Sequence, residues 1–528
     1  MRISYALAAL ALVAISRAQA GNDGLAGNWK VSIFEEGQQH NFWLIKLENK
    51  DGKISGTALG LRGVPASKIS KIAVKGDRVT FNLSVDDKEF DFEGKLTKAD
   101  PKKIMGSMRL GNRMIPAMLE ATAARTAFEA DKEFLARNPN DPRIFEVFSD
   151  LIGQAGKEKV SAQEMREWTQ ILLKAAANFG ERWQRETVIR LAEGLLKDKD
   201  YAAIAVEVAR HAEKIKGDAE FQLRILALLQ KALQMNSQAD EAKLLGKRIE
   251  ELEPLAHREY EKTSLPFKVE PFAGRKGKSK RAVLVELFTG AQCPPCVAAD
   301  LAFDALEKAY KPSEVVLLQY HLHVPGPDVL TNPDSEARQE YYGKVIRGTP
   351  TILFNGKASA PGGGGPGAAQ GKFSDYQIII DPLLEKPGSV SLDAKAIRKG
   401  NKIHIQARTQ DLDKPGDKIR LRLALVEDWV RYRGTNGMRY HSRVVRALPG
   451  GPEGLALTKK DAEHAVVVDL AELETKLTNY LDDFVKKEAP FPDAQRPMRL
   501  RDLRVVAFVQ NDDTSEVLQA LEVPVKGN

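Results

Sequence analysis

The chain carries two cysteines in 528 residues, three positions apart in the run Cys293-Pro294-Pro295-Cys296. Two thiols at that spacing suit reversible disulfide exchange, half of a metal site, or a small structural disulfide. A zinc site needs about four ligands. There is no second cysteine pair, so only His321 and His323, alternating to one face of a strand, could complete a set. A disulfide closing so short a loop would stabilise little. Exchange has the fuller mechanism. A thiol at the start of a helix meets unpaired N–H groups and the positive end of the macrodipole, both of which favour the thiolate. A second thiol one turn further in can attack a mixed disulfide formed by the first. Cys293 is therefore the expected nucleophile and Cys296 the expected resolving thiol. Pro294 and Pro295 suit a first helical turn but remove two donors, so only a moderate lowering of the Cys293 pKa is expected. The chemistry needs no cofactor and no metal.

These thiols require a strand before them and a helix after them. "RAVLVELF" is a β-prone apolar run, and "CVAADLAFDALEKAY" has amphipathic helical spacing. A second strand, "SEVVLLQYHLH", a helix, "PDSEARQEYYGKVI", and a hairpin around Asn355-Gly356 follow. "PGGGGPGAAQG", Pro361 to Gly371, is expected to be a flexible loop, and "DYQIIIDPLLEK" a closing helix. The basic run Arg275 to Arg281 reads as a solvated linker.

"VLVELFTGAQCPPC" and, some way on, "RGTPTILFNG" together resemble the thioredoxin-like fold family. The resemblance implies an α/β domain over residues 263–386, with a cis-proline at Pro350 facing the cysteines. It also implies that the Thr349 backbone pairs with an extended client segment, and that a buried acid beneath the resolving cysteine moves its proton. Glu286 stands in the corresponding strand, one residue farther from the first cysteine than is usual, and pairing with a lysine is the other reading of it. Gln292 occupies a place where the family commonly has tryptophan, which implies a more polar lip. With "YHLHVPGPD" and the stretch from Ala424 to Gly451, the segment from about 280 to 528 is similar to secreted bacterial proteins that join such a core to an immunoglobulin-like β domain.

The flanking sequence divides by period. Residues 1–20 read as a secretory signal: Met1-Arg2, an apolar run from Ile3 to Ile15, and Ala18 and Ala20 before the cleavage point. Residues 21–123 hold about eight short alternating runs, which predict a small antiparallel β barrel or sandwich with a filled core. Gly27-Asn28-Trp29 resembles the G-x-W of lipocalin-type barrels. Residues 124–262 switch to helical spacing and loosely resemble tetratricopeptide-like repeats, with Trp168 and Trp183 as core or groove residues. Residues 387–528 return to strands around one helix, which predicts a β-sandwich. The fold class expected is thus multi-domain: barrel, helices, thioredoxin-like domain, immunoglobulin-like sandwich.

The net charge of +7 is spread over 79 basic and 72 acidic residues, too dilute for nucleic acid, and no run beyond the signal is long enough to span a membrane. The functional expectation is an extracytoplasmic thiol–disulfide oxidoreductase, periplasmic or secreted. Its partners would be client proteins with disulfides or thiols and an upstream thiol–disulfide donor. The competing expectation is a cell-envelope scaffold whose thioredoxin-like domain is non-catalytic or senses redox state.

Overall fold

The computed structural model describes residues 22–35, 38–61, 64–98, 102–491 and 496–527, so the expected signal segment lies outside the described residues. Two compact units divide the chain, Met1–Val208 and Ala209–Asn528.

In the first unit the alternating runs form β1 (Gly27–Glu35), β2 (Gln38–Lys50), β3 (Lys53–Gly60), β4 (Ser67–Lys75), β5 (Arg78–Val85), β6 (Lys88–Leu96), β7 (Lys103–Leu110) and β8 (Arg113–Thr122). Their order, β3-β2-β1-β8-β7-β6-β5-β4, is antiparallel throughout and makes a nearly closed barrel. One face of each strand is apolar, and closure gathers those faces inward. Trp29, Trp43, Phe81 and Phe92 fill the interior, with Phe81 stacked on Phe92 at 4.6 Å. Helices α1 (Ala127–Arg137), α2 (Ile144–Gln154), α3 (Ala162–Asn178) and α4 (Glu181–Leu195) follow, and α5 (Ala202–Ala212) runs across the division between the units. Ser161 caps α3 by accepting the Glu164 amide at 3.2 Å. Trp168 is buried, and Trp183 packs edge-on to Phe145.

The second unit opens with α6 (Ala219–Met235) and α7 (Ala239–Thr263). Then come β9 (Val283–Thr289), α8 (Val297–Ala309), β10 (Val315–His321), α9 (Pro333–Tyr342), β11 (Thr351–Phe354), β12 (Lys357–Pro361) and α10 (Ala369–Leu384). The last stretch holds β13 (Ser391–Lys399), β14 (Lys402–Gln410), β15 (Gly416–Arg431), β16 (Tyr440–Ala447), β17 (Leu455–Leu457), β18 (Ala462–Asp469), α11 (Leu470–Lys487), β19 (Leu503–Asn511) and β20 (Val517–Lys526). Strands from before and after residue 387 join one mixed twelve-stranded sheet, ordered β12-β11-β9-β10-β16-β15-β19-β20-β13-β14-β18, with β17 beside β15. The junction is a parallel pairing of β10 with β16, Gln319 opposite Val444. Further along, β13 and β14 share a buried core with β15 and β19 through Ala394, Ile403, Ile405, Leu421, Leu423 and Val505.

Strand β9 is buried on both faces and alternates between two cores. Val283, Val285 and Leu287 pack with α8 and α10. Leu284 and Phe288 pack on the opposite side with Val426, Val506 and Phe508 of the later strands. This alternation decides which side chains can reach the cysteines.

The basic run is irregular and keeps Lys276, Lys278 and Lys280 in solvent, as expected of a solvated linker, but its two arginines are anchored. Arg275 donates to the carbonyls of Arg281, Leu384 and Ser313, and Arg281 is buried against Glu516 and the Val517 carbonyl. Charge density alone could not reveal these fixed acceptors. The expectation of a flexible glycine-rich loop is overturned: the segment begins in β12, and from Ala369 it is helix α10.

Candidate functional site

Cys293 and Cys296 are joined as a disulfide, with Cα atoms 5.4 Å apart. The pair sits where β9 gives way to helix. The Cys293 amide donates to the Gly290 carbonyl at 3.1 Å, a single 3-10 turn covers Pro294–Cys296, and α8 continues from it. Cys296 is fully buried and Cys293 is only 2% exposed, while Pro294 and Pro295 face solvent.

Three segments converge on the pair. The Thr349–Pro350 bond is cis, and the Thr349 carbonyl oxygen lies 3.7 Å from Sγ of Cys293. That approach becomes a hydrogen bond only when the sulfur carries a proton. Thr349 Oγ1 donates to the Val324 carbonyl at 3.2 Å, and Val324–Pro325 is also cis, a feature the sequence reading did not anticipate. The glycine-rich segment is the second wall. Gly364 donates to the Pro295 carbonyl at 2.8 Å and accepts from the Ala298 amide at 3.0 Å. A Cβ on Gly362 would stand 3.0 Å from Cγ of Pro350. These glycines serve close backbone approach rather than flexibility.

The third wall comes from beyond residue 387. Asn436 donates from its backbone to Ala291 at 3.4 Å and from its side chain to Gly290 at 3.3 Å. Gln292 accepts from Thr435 at 2.6 Å and donates to the Tyr432 hydroxyl at 3.4 Å, which makes the lip of the site polar. A Cβ on Gly434 would fall 2.2 Å from the Ala291 carbonyl oxygen. Gly434→Ala is therefore expected to destabilise the second unit by about 1–3 kcal/mol, because main chain on both sides must move. Thermal unfolding checks this, and an unchanged midpoint would refute the close approach.

Glu286 does not lie on the cysteines' side of the sheet. It shares the face of Leu284 and Phe288, turned away from α8, and it is fully buried. Arg338 donates to both its oxygens, at 2.8 and 3.0 Å, and the Tyr342 hydroxyl donates to it at 2.5 Å. Its partner is thus an arginine rather than a lysine. One residue of extra spacing from Cys293 turns a strand side chain to the other face, which is why the position fails to match.

The carboxyl on the cysteines' side is Asp300, which the sequence reading missed. It follows Cys296 by four residues, one helical turn deeper and on the same face. Thr289, the last residue of β9, donates to its Oδ1 at 2.8 Å, and Gln319 does so at 3.2 Å. Its Oδ2 is buried without a partner. Burial, helped by the nearby Asp304 and Asp328 charges, pushes the carboxyl well above the ordinary range, against the pull of the Thr289 and Gln319 hydrogen bonds. The available signal was an acid embedded among Val297, Ala298, Ala299, Leu301, Ala302 and Phe303, where both flanks of the helix are apolar.

The two histidines weighed as metal ligands are held by the protein. His321 is fully buried between Asp328 and Gln319, and His323 accepts the Asp328 amide at 3.0 Å. Among the described residues no cluster of three or more His, Cys, Asp or Glu is arranged for a metal ion, and no helix is long and apolar enough to cross a membrane.

No family model matches the chain, and no curated protein matches it. Among solved structures, HBP35 of Porphyromonas gingivalis is similar over 47% of this chain and 77% of that one, at 16% identity and a TM-score of 0.32.

Proposed function

We propose that this chain is an extracytoplasmic thiol–disulfide oxidoreductase, with a thioredoxin-like domain at residues 263–386 and an immunoglobulin-like sandwich after it. The observation that carries the reading is the Cys293–Cys296 disulfide at the head of α8, beneath the Thr349 carbonyl and Pro350.

In the reducing direction, the Cys293 thiolate attacks one sulfur of a client disulfide. A Cys293–client bond forms, the client S–S bond breaks, and the other client sulfur leaves with the electron pair. Cys296 gives its proton to Oδ2 of Asp300 and attacks Sγ of Cys293. The Cys293–Cys296 bond closes, and the second client sulfur leaves as thiolate. The client gains two electrons, the protein is oxidised, and an external dithiol donor restores it. Thr349 and Pro350 orient the client beside Cys293. Asp300 takes the proton-accepting role that the strand position of Glu286 denies it.

A second reading has its own observation. Cys293 is 2% exposed under three converging segments, as in a scaffold whose disulfide is structural or sensing. Insulin reduction by catalytic amounts of the full chain, with dithiothreitol as donor, separates the two. Oxidoreductase function predicts accelerated precipitation of the insulin B chain. A rate equal to that of dithiothreitol alone would overturn it in favour of the scaffold.

A further inference from the structure

On the α8 side of the sheet, the side chains behind the cysteines form one continuous row. Gln319 gives its amide nitrogen to Oδ1 of Asp300 at 3.2 Å and turns its carbonyl to Nε2 of His321 at 3.3 Å. Nδ1 of His321 faces the Asp328 carboxylate, 3.3 Å from Oδ1 and 3.4 Å from Oδ2. Asp328 in turn accepts the amides of Ala291, at 2.5 Å, and Leu330, at 2.8 Å. Asp300, Gln319, His321 and Asp328 are all buried. The row therefore runs from the turn below Cys296 to the backbone two residues before Cys293.

A carboxamide has one donating and one accepting end, and with its nitrogen on Asp300 its oxygen turns to His321. The other ring nitrogen faces the Asp328 carboxylate. His441 of β16 meets the ring edge-on at 4.9 Å and is pushed down to about 3 by its burial and by His321, so it is neutral. Although burial opposes it, His321 and the two amides hold Asp328 below the usual carboxylate range. Near Asp300 itself lie Asp304 of α8 and the phenol of Tyr376 on α10, which burial and the Asp300 charge keep protonated.

We propose that His321 is a positioning residue for the exchange. Held between Asp328 and Gln319, it fixes the amide orientation that occupies Oδ1 of Asp300 and leaves Oδ2 to take the Cys296 proton. The inference rests on the exchange reading. The amide donor held on Oδ1 in this way favours the ionised Asp300 that the resolving step requires.

The test is the pH profile of insulin reduction by the full chain as wild type, Asp300→Asn and His321→Gln, with circular dichroism confirming the fold. Wild type should lose rate on its acidic side as Asp300 becomes protonated. Asp300→Asn should lose that limb and about 100-fold of the rate. In His321→Gln the Gln319 amide is free to turn from Asp300, so the acidic limb should move to higher pH by about one unit, with the rate recovering above it. Gln319→Met, which removes a donor from Asp300 without moving the histidine, should shift the limb in the same direction and serves where His321→Gln folds poorly. A uniform loss of rate, or a superimposable profile, in an active His321→Gln or Gln319→Met protein overturns this inference alone. Wild type inactive at every pH overturns the exchange reading, and the inference falls with it.

Discussion

Cys293→Ser should bring insulin reduction down to the uncatalysed rate, a loss of about 100-fold or more, while Cys296→Ala should leave client proteins attached to Cys293. The asymmetry follows from placement. Cys296 is fully buried beneath Pro295 and α8, so its sulfur can attack only what Cys293 already holds. Removing it stops the reaction at the mixed disulfide, which non-reducing gels of an envelope extract would reveal and a reductant would release. Neither substitution should unfold the protein, because a disulfide closing so small a loop constrains the unfolded chain little. A Cys293→Ser protein that retains activity would place the chemistry elsewhere. A Cys296→Ala protein that captures nothing while wild type reduces insulin would show that intermediates do not wait for the second thiol.

The thiols and their strand–turn–helix setting were legible because they are local. An apolar run, two prolines and an amphipathic helix in succession leave little choice of conformation, and β9, α8, β10 and α9 lie where their periodicity puts them. What escaped depends on faces and on distant partners. Glu286 and Asp300 are both acids near the cysteines in sequence. Strand parity turns Glu286 toward α9, whereas Asp300 stands on the sheet-facing side of α8, where Thr289 of β9 holds it. Glycine composition is equally ambiguous: a run of glycines permits motion, but it also lets main chain lie against Pro350 and Ala298 where a Cβ would intrude. The pairing of β10 with β16 joins residues more than a hundred positions apart, and no local pattern encodes it.

Arg338→Met should destabilise the second unit by about 3–5 kcal/mol, although it touches neither sulfur. Arg338 is buried, its guanidinium spans both oxygens of Glu286, and the rings of Tyr341, Tyr342 and Phe508 lie 4.7, 4.6 and 5.1 Å from it. Glu286 comes from β9, Tyr342 from α9, and Gln510 of β19 donates to the Tyr342 hydroxyl at 3.1 Å. The cluster therefore ties the cysteine-bearing strand to strands that follow residue 387. Without the guanidinium, a carboxylate remains among Leu284, Phe288 and Phe508 with one phenol to hold it, and water cannot reach it. The double substitution Glu286→Leu with Arg338→Met removes both charges, and should recover much of the loss because apolar replacements of a buried pair are often near neutral. Hydrogen exchange of β9 and α9 peptides reads the effect in this unit without assuming a single unfolding transition for the whole chain. A double variant as unstable as Arg338→Met would locate the stabilisation in the stacking of the guanidinium on its three rings, and not in the pairing of charges.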